Sequence, residues 1–352
     1  MTNPFLRDEL KGRTAYGAPQ IDVPVRLNTN ENSYPLPPEV ADAVMRAIEK
    51  EVTGLNRYPD RDAVELRKDL AAYLGAEQEG VWAANGSNEV QQQLLQAFAG
   101  PGRVALGFGP AYSMHPLLAV GTATTWVDGG RGDEFELTAE HAVEQVRRHK
   151  PAVTFLCSPN NPTGTALPLE VAEAVLKERQ GIVVVDEAYA EFRRPGTLSA
   201  LSLLSGYPQL VVTRTMSKAF AFAGVRLGYF AADPSIVEAV QLVRLPYHLS
   251  ALTQAAARAA IAHTGALLGT VEAIKHQRDR IVETLRGLGL TVADSDANFV
   301  LFGRFEDQEI VWRKLLDRGI LVRDVGLKGW LRVTAGTVAE TDAFLKAMEE
   351  IR

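Results

Sequence analysis

From about Val40 to Val240, short apolar runs of strand length alternate with longer helical stretches. That alternation is the strongest constraint on the fold, because strands separated by helical crossovers close into a parallel sheet covered by helices on both faces. The runs Val81–Ala84, Arg103–Gly107, Thr124–Val127, Val153–Leu156, Ile182–Val185, Leu210–Thr213 and Gly228–Ala231 read as seven strands of one sheet. Leu66–Leu74, ahead of the first strand, and Val90–Phe98, between the first two, read as helices. Asp233-Pro234-Ser235 opens a further helical region that Pro246 interrupts. Ala251–Leu288 is long and alanine-rich, with Gly265 and Gly269 as its expected breaks. Beyond Gly289 the pattern changes to α+β, with strands near Leu290–Ala293, Asn298–Phe302, Ile320–Arg323 and Leu331–Thr334 and helices near Gln308–Asp317 and Glu340–Ile351. The expected organisation is an N-terminal arm (1–39), a large α/β domain (40–245) and a smaller C-terminal α+β domain (246–352).

Three segments at strand ends carry chemistry. Ile182–Val185 delivers Asp186 where an open α/β sheet binds its ligands, followed by Tyr189. Asp186 either caps the next turn or presents an acid to a cofactor ring nitrogen. After the strand Val153–Leu156, Ser158-Pro159-Asn160-Asn161-Pro162-Thr163-Gly164 forms a rigid turn that can aim the Asn161 amide. In Thr215–Gly228, Lys218 lies among small and apolar residues with Arg226 eight positions on, while Thr215 and Ser217 add hydroxyls. A lysine desolvated near a second cation loses its proton more readily and can form a Schiff base, and the hydroxyls and guanidinium suit a phosphate beside it.

In order and spacing, these segments resemble the signature of fold-type I aminotransferases that use pyridoxal phosphate. Leu27-Asn28-Thr29-Asn30-Glu31-Asn32, Arg57-Tyr58-Pro59-Asp60 and Asn85-Gly86-Ser87-Asn88-Glu89 narrow the resemblance to the histidinol-phosphate aminotransferase family, from about Tyr16 to about Phe344. The resemblance implies that Lys218 is the Schiff-base lysine, that Asp186 pairs with the pyridinium nitrogen, and that Asn161 and Tyr189 bind the ring hydroxyl. It assigns the cofactor phosphate to Thr215, Ser217 and Arg226, joined by Ser87 and Asn88 at a helix start; capping of that helix by Ser87 or Asn88 is compatible with the same role. Tyr112, in Gly109-Pro110-Ala111-Tyr112, is implied to stack on the ring. Tyr58 is implied to reach the partner's cofactor phosphate in a homodimer with shared sites. Tyr16, Asn161, Arg323 and Arg332 are the implied substrate-binding residues, the two arginines taking the substrate phosphate and the glutamate carboxylates.

The implied reaction moves an amino group between L-histidinol phosphate and 2-oxoglutarate, giving imidazole acetol phosphate and L-glutamate in histidine biosynthesis. An aromatic amino-acid aminotransferase shares every cofactor motif, and a phosphothreonine decarboxylase shares the scaffold. A regulator with an added helix-turn-helix domain is not expected, since the family match begins near Tyr16. One departure is Ser33, where the family usually has proline after Asn-Glu-Asn; a less rigid loop is expected there.

Composition fits this reading. The 352 residues carry 37 basic and 43 acidic side chains, net −6, so no general attraction to nucleic acid is expected and anion binding must come from local arginines. One cysteine, Cys157, forbids an internal disulfide and suits a reducing cytoplasm; it is expected to act as a small buried apolar residue. The six histidines lack zinc-site spacing, so no metal is expected. No export signal or transmembrane run is expected. His248 is either a pocket-lining residue or, as is commoner for a loop histidine, simply solvated.

Overall fold

The computed structural model describes residues 3–351. A two-residue strand β1 (Val25–Arg26) precedes the helices Pro38–Val52 and Val64–Leu74. The chain then lays down β2 (Val81–Ala84), β3 (Val104–Gly107), β4 (Thr125–Asp128), β5 (Val153–Cys157), β6 (Ile182–Asp186), β7 (Leu210–Thr215) and β8 (Gly228–Ala232). They form one sheet in the order β2-β8-β7-β6-β5-β3-β4, as the alternation predicts. Neighbours are parallel except at β8, which runs antiparallel to both β2 and β7.

The central strands are buried on both faces, which explains their unbroken β-branched composition. Val184, Val211, Phe155 and Phe230 pack under the helix Ser87–Phe98, whereas Val183, Val185, Val212 and Leu156 pack on the other face against the helix Leu169–Lys177. Helix starts follow local chemistry: the side chains of Thr138, Asp233, Ser250 and Asp307 each accept a hydrogen bond from a first-turn N–H.

The C-terminal region holds β9 (Thr291–Val292), β10 (Phe299–Gly303), β11 (Ile320–Leu321), β12 (Arg323–Asp324) and β13 (Trp330–Thr334). Four of these make an antiparallel sheet ordered β12-β13-β10-β9, while β11 pairs in parallel with β1. The run Ile320–Arg323, expected as one strand, is therefore two strands in different sheets, parted at Val322. A second correction concerns Ala251–Leu288. Gly265 and Gly269 lie inside one continuous helix, Thr264–Gly287, and the break from the helix Ala251–Ile261 falls at Ala262–His263. There the His263 ring bonds the Ala259 carbonyl at 2.8 Å and Thr264 Oγ1 donates to the Ile261 carbonyl at 2.6 Å, occupying carbonyls that a continuing helix would use.

Candidate active site

The ends of β5, β6 and β7, the start of the helix Ser87–Phe98, the segment Asn28–Glu31 and β12–β13 enclose a cleft of ≈ 700 Å³. Of the residues singled out in the sequence, Tyr16, Ser87, Asn88, Tyr112, Asn161, Asp186, Tyr189, Thr215, Ser217, Lys218, Arg226, Arg323 and Arg332 all line it.

Asp186 ends β6 in a buried position and accepts four hydrogen bonds. Gln91 Nε2 donates to Oδ2 at 2.8 Å, and Thr213 Oγ1 and the Ala188 N–H donate to Oδ1 at 3.2 Å each. His115 Nε2 lies 3.2 Å from Oδ2, and since an ionised carboxylate only accepts, the histidine donates. The His115 ring is itself stacked on Phe155, with centroids 4.5 Å apart. These partners fix the direction of the carboxylate.

Lys218 follows the end of β7, and its Nζ donates to the Thr29 carbonyl at 3.0 Å. Burial first, then the nearby charge of Arg332, lower its pKa to about 8; Glu31 opposes them, and Arg226 adds a smaller push in the same direction as Arg332. The amine is therefore poised between its protonated and nucleophilic forms near neutral pH.

Tyr189 is buried at the centre of the cleft wall. Asn30 Nδ2 donates to its hydroxyl at 3.0 Å, while Asn161 Nδ2 lies farther off at 3.5 Å. Burial raises the phenol pKa to about 12 in spite of Arg332 and Asn30, so the hydroxyl stays protonated. Asn30 has the positive φ of 55° that asparagine tolerates, and it is held by Thr334 and Asn298. The Asn161 carbonyl accepts from Arg332 Nη1 at 2.5 Å, and Arg332 Nη2 donates to the Asn28 carbonyl at 2.9 Å. Burial, together with the charge of Arg323, lowers the Arg332 pKa to about 10. Its Nε has no partner among the described residues, an unsatisfied donor beside the cleft. Arg323 stands directly opposite Arg332 in the β12–β13 ladder, so two guanidinium groups flank one end of the cleft.

An anion cradle lies at the other end. The first turn of the helix Ser87–Phe98 is capped by no side chain at Gly86; instead Glu89 reaches back to accept the Asn85 N–H at 2.8 Å. Capping by Ser87 or Asn88 therefore does not occur, and the Asn88 carbonyl instead accepts from the Tyr112 hydroxyl at 3.3 Å. Arg226 Nη1 donates to Ser217 Oγ at 3.3 Å, and Thr215 Oγ1 accepts from the Ser217 N–H at 3.1 Å. Two glycines make this approach possible. A Cβ on Gly86 would lie 2.4 Å from Arg226 Nη2, and one on Gly228 would lie 2.1 Å from the Ser87 nitrogen.

Two further residues singled out in the sequence, Tyr58, expected to serve a partner's site, and His248, lie outside this chain's cleft. Tyr58 is 79% exposed on the outer surface of this chain, stacked on Tyr247 with centroids 4.3 Å apart. His248 stacks on Trp82 and bonds the Ala83 carbonyl at 2.9 Å, so it packs behind the cleft rather than lining it. Sequence reading gave no role to Gln91, His115, Asn30 or Asn298. Gln91 follows Ser87 by four positions, the spacing that places it on the same helix face, and Asn30 belongs to the asparagine-rich opening motif. His115 has no comparable local sign. Cys157 is buried, and burial raises its thiol pKa far above the usual range. At Ser33, Asn32 Oδ1 accepts the Tyr34 N–H at 3.0 Å and Asn32 Nδ2 bonds Thr270 at 3.1 Å, so side-chain bonds hold the loop where proline is absent.

The residues present fit pyridoxal phosphate. The cradle of Ser217, Arg226 and the uncapped helix start matches a phosphate, Asp186 matches a pyridinium nitrogen, and Lys218 matches an aldehyde.

Comparison with known proteins places the chain in a family. The family description "Aminotransferase class I and II" matches residues 22–348. A histidinol-phosphate aminotransferase of Frankia casuarinae is 63% identical over 97% of this chain and 89% of its own length, and one of Thermobifida fusca is 59% identical over 97% and 94%. A crystal structure of histidinol-phosphate aminotransferase from Sinorhizobium meliloti, in complex with pyridoxal 5'-phosphate, has a TM-score of 0.88 at 24% identity, covering 99% of this chain and 98% of that one. At that identity the likeness speaks for the fold, while the closer sequences speak for the family. By its fold, the architecture of its cleft and its full-length sequence likeness, the chain belongs to the histidinol-phosphate aminotransferase family of the class I and II aminotransferases.

Proposed function

We propose that this protein is a pyridoxal-phosphate enzyme transferring the amino group of L-histidinol phosphate to 2-oxoglutarate, with imidazole acetol phosphate and L-glutamate as products. It thereby serves histidine biosynthesis. The observation that carries the reading is a lysine of lowered pKa in one cleft with a fourfold-bonded aspartate, an anion cradle at one end and paired arginines at the other. Two anion sites suit a phosphorylated cofactor and a phosphorylated or dicarboxylate substrate at once.

Pyridoxal phosphate supplies an electron sink for charge developing at the substrate α-carbon. The chain supplies the rest. Asp186 holds a proton on the ring nitrogen, and Gln91 and His115 keep the carboxylate aimed. The Tyr189 hydroxyl and the Asn161 amide would bind the ring hydroxyl, and Tyr112 would stack on the ring. Thr215, Ser217, Arg226 and the N–H groups at Ser87 and Asn88 hold the cofactor phosphate. Lys218 Nζ would hold the cofactor through its aldehyde carbon and, as the free amine, would move the proton between the substrate α-carbon and that cofactor carbon, as general base and then general acid. Arg323 and Arg332 bind the substrate phosphate in one half-reaction and carboxylates in the other, with Tyr16 closing from the N-terminal arm.

The arm 1–39 joins a small domain of residues 246–352, and residues 40–245 form the large one; the pairing of β1 with β11 supports this division. The working unit is a homodimer in the cytoplasm in which Tyr58 serves the partner's cofactor phosphate. Its exposure on this chain, beside the exposed Leu55 and Tyr247, is consistent with that. Among the described residues no helix is long and apolar enough to cross a membrane.

The test compares histidinol phosphate with phenylalanine as amino donors to 2-oxoglutarate. We expect kcat/KM at least about tenfold higher for histidinol phosphate, or roughly 1.4 kcal/mol of transition-state binding. A preference for phenylalanine would replace this reading with an aromatic aminotransferase.

A further inference from the structure

Behind the cleft, on the opposite face of the same two strands, lies a buried ionic cluster that no step above uses. Side chains alternate along a strand, so Asp186 and Thr213 face the helix Ser87–Phe98 while Glu187 and Arg214, each one residue on, face away. Arg214 Nη2 and Nε donate to Glu187 Oε2 at 2.8 and 3.2 Å. The other Glu187 oxygen accepts the Ala200 N–H at 2.7 Å, and Ser199 Oγ bridges to Glu187 at 2.7 Å. Arg214 Nη1 lies 3.5 Å from Glu191, whose carboxylate accepts the Tyr73 hydroxyl at 3.0 Å. Glu187 and Arg214 are both buried. Such a pair adds little stability over apolar side chains of equal volume, because desolvating both charges offsets their attraction. Its place in the fold suggests another use. The Glu187 N–H bond to the Thr213 carbonyl, at 2.9 Å, comes where β6 ends. Beyond it the chains part, one towards Tyr189 and the other towards Ser217 and Lys218.

We propose that Glu187 and Arg214 are positioning residues, a cross-strand clamp that fixes the register of β6 against β7 and so the placement of Asp186 relative to Lys218. This rests on the reading that those two residues hold the cofactor. Asp186 and Thr213 are register partners joined by a hydrogen bond, so slack at this point reaches the acid directly.

The test uses the loaded enzyme and three variants: Arg214→Lys, which keeps the charge but loses the two-pronged geometry; the double variant Glu187→Gln with Arg214→Gln, which leaves neither end of the pair charged; and Ser199→Ala, which removes only the bridging hydroxyl. The readouts are cofactor Kd, the pH midpoint of the lysine-bound cofactor's visible absorbance, and kcat apart from KM. The Arg214→Lys and double variants should weaken cofactor binding, move the midpoint by at least about half a pH unit and lower kcat at least about tenfold, with KM within about threefold. Ser199→Ala should shift the midpoint in the same direction by less, and it decides the matter if the other two do not fold. A fall in thermal stability with midpoint, Kd and kcat unmoved would make the cluster merely structural and overturn the proposal. Loss of the visible band in Lys218→Ala serves as the control; if the band survives, the reading of Lys218 fails, not the clamp.

Discussion

The two walls of the cleft differ in how firmly their side chains are held. On the wall built from the seven-stranded sheet, Asp186 has four hydrogen-bond partners, Ser217 and Thr215 are buried and bonded to each other, and Tyr189 is buried and bonded by Asn30. On the opposite rim Arg323 is only partly buried and Tyr16 is 51% exposed. A wall of buried side chains held by hydrogen bonds presents charge with little reorganisation, which is what stabilising a developing charge requires. A looser rim can accommodate two substrates of different shape in turn. Arg332 belongs to both, since it is buried and bonded to Asn161 and Asn28 yet stands beside Arg323.

Because of this contrast, substitutions on the sheet wall should cost far more than those on the rim. The largest effect is expected for Lys218→Ala, which should lower transamination by at least about 10³-fold and abolish the visible absorbance of bound cofactor, because among the described residues no other lysine lines the cleft. Full turnover by the purified variant would end the assignment. Next, Asp186→Asn should keep its cofactor but lose about 10²-fold or more in kcat, since an amide cannot retain the ring proton. A rate within about threefold of wild type, under about 0.7 kcal/mol, would reduce Asp186 to a structural role.

On the rim, Arg323→Ala should lower kcat/KM for histidinol phosphate at least about tenfold more than for phenylalanine, because the aromatic ring offers the guanidinium nothing to bind. Equal loss for both donors would remove Arg323 from phosphate recognition. The lysine's proton supplies a fourth measurement. With its pKa lowered to about 8, the amine is neutral above that pH, so cofactor capture by unloaded protein should rise about fivefold from pH 7 to 8 and level off above 9. A rate still climbing towards pH 10 would mean an ordinary, solvated lysine. The smallest effect is expected for Tyr58→Phe, about threefold weaker cofactor binding for one lost hydrogen bond. Mixing it with Lys218→Ala protein should restore some activity if the sites are shared; no recovery after confirmed subunit exchange would refute the shared site.

Much of the fold was legible because its strands are buried on both faces and therefore read as unbroken runs. Val183, Val184 and Val185 show this in β6, and Val211 and Val212 in β7. The interruption of the long C-terminal helical stretch was not legible in the same way. Gly265 and Gly269 are common enough as breakers to draw attention, yet nothing lies within 4 Å of a Cβ placed on either, and the helix runs through both. The candidate site divides similarly. Lys218, Asp186, Arg226 and the asparagines stand in compact motifs, whereas His115 is recognisable only through its distance to Asp186, 71 residues away along the chain.

What the sequence determined by itself is therefore local: which runs become strands, where Asp186 and Lys218 leave their strand ends, and that glycines stand at 86 and 228. Only the tertiary structure decided that Gln91 and His115 converge on one carboxylate, that Tyr58 and His248 stay out of this chain's cleft, that Arg323 faces Arg332 across a ladder, and that Glu187 clamps Arg214 behind it. The reason is physical. Strand, helix and turn preferences act over a few residues and can be read from them, but hydrogen bonds and ion pairs between distant residues form only after packing has excluded water and fixed which side chains meet.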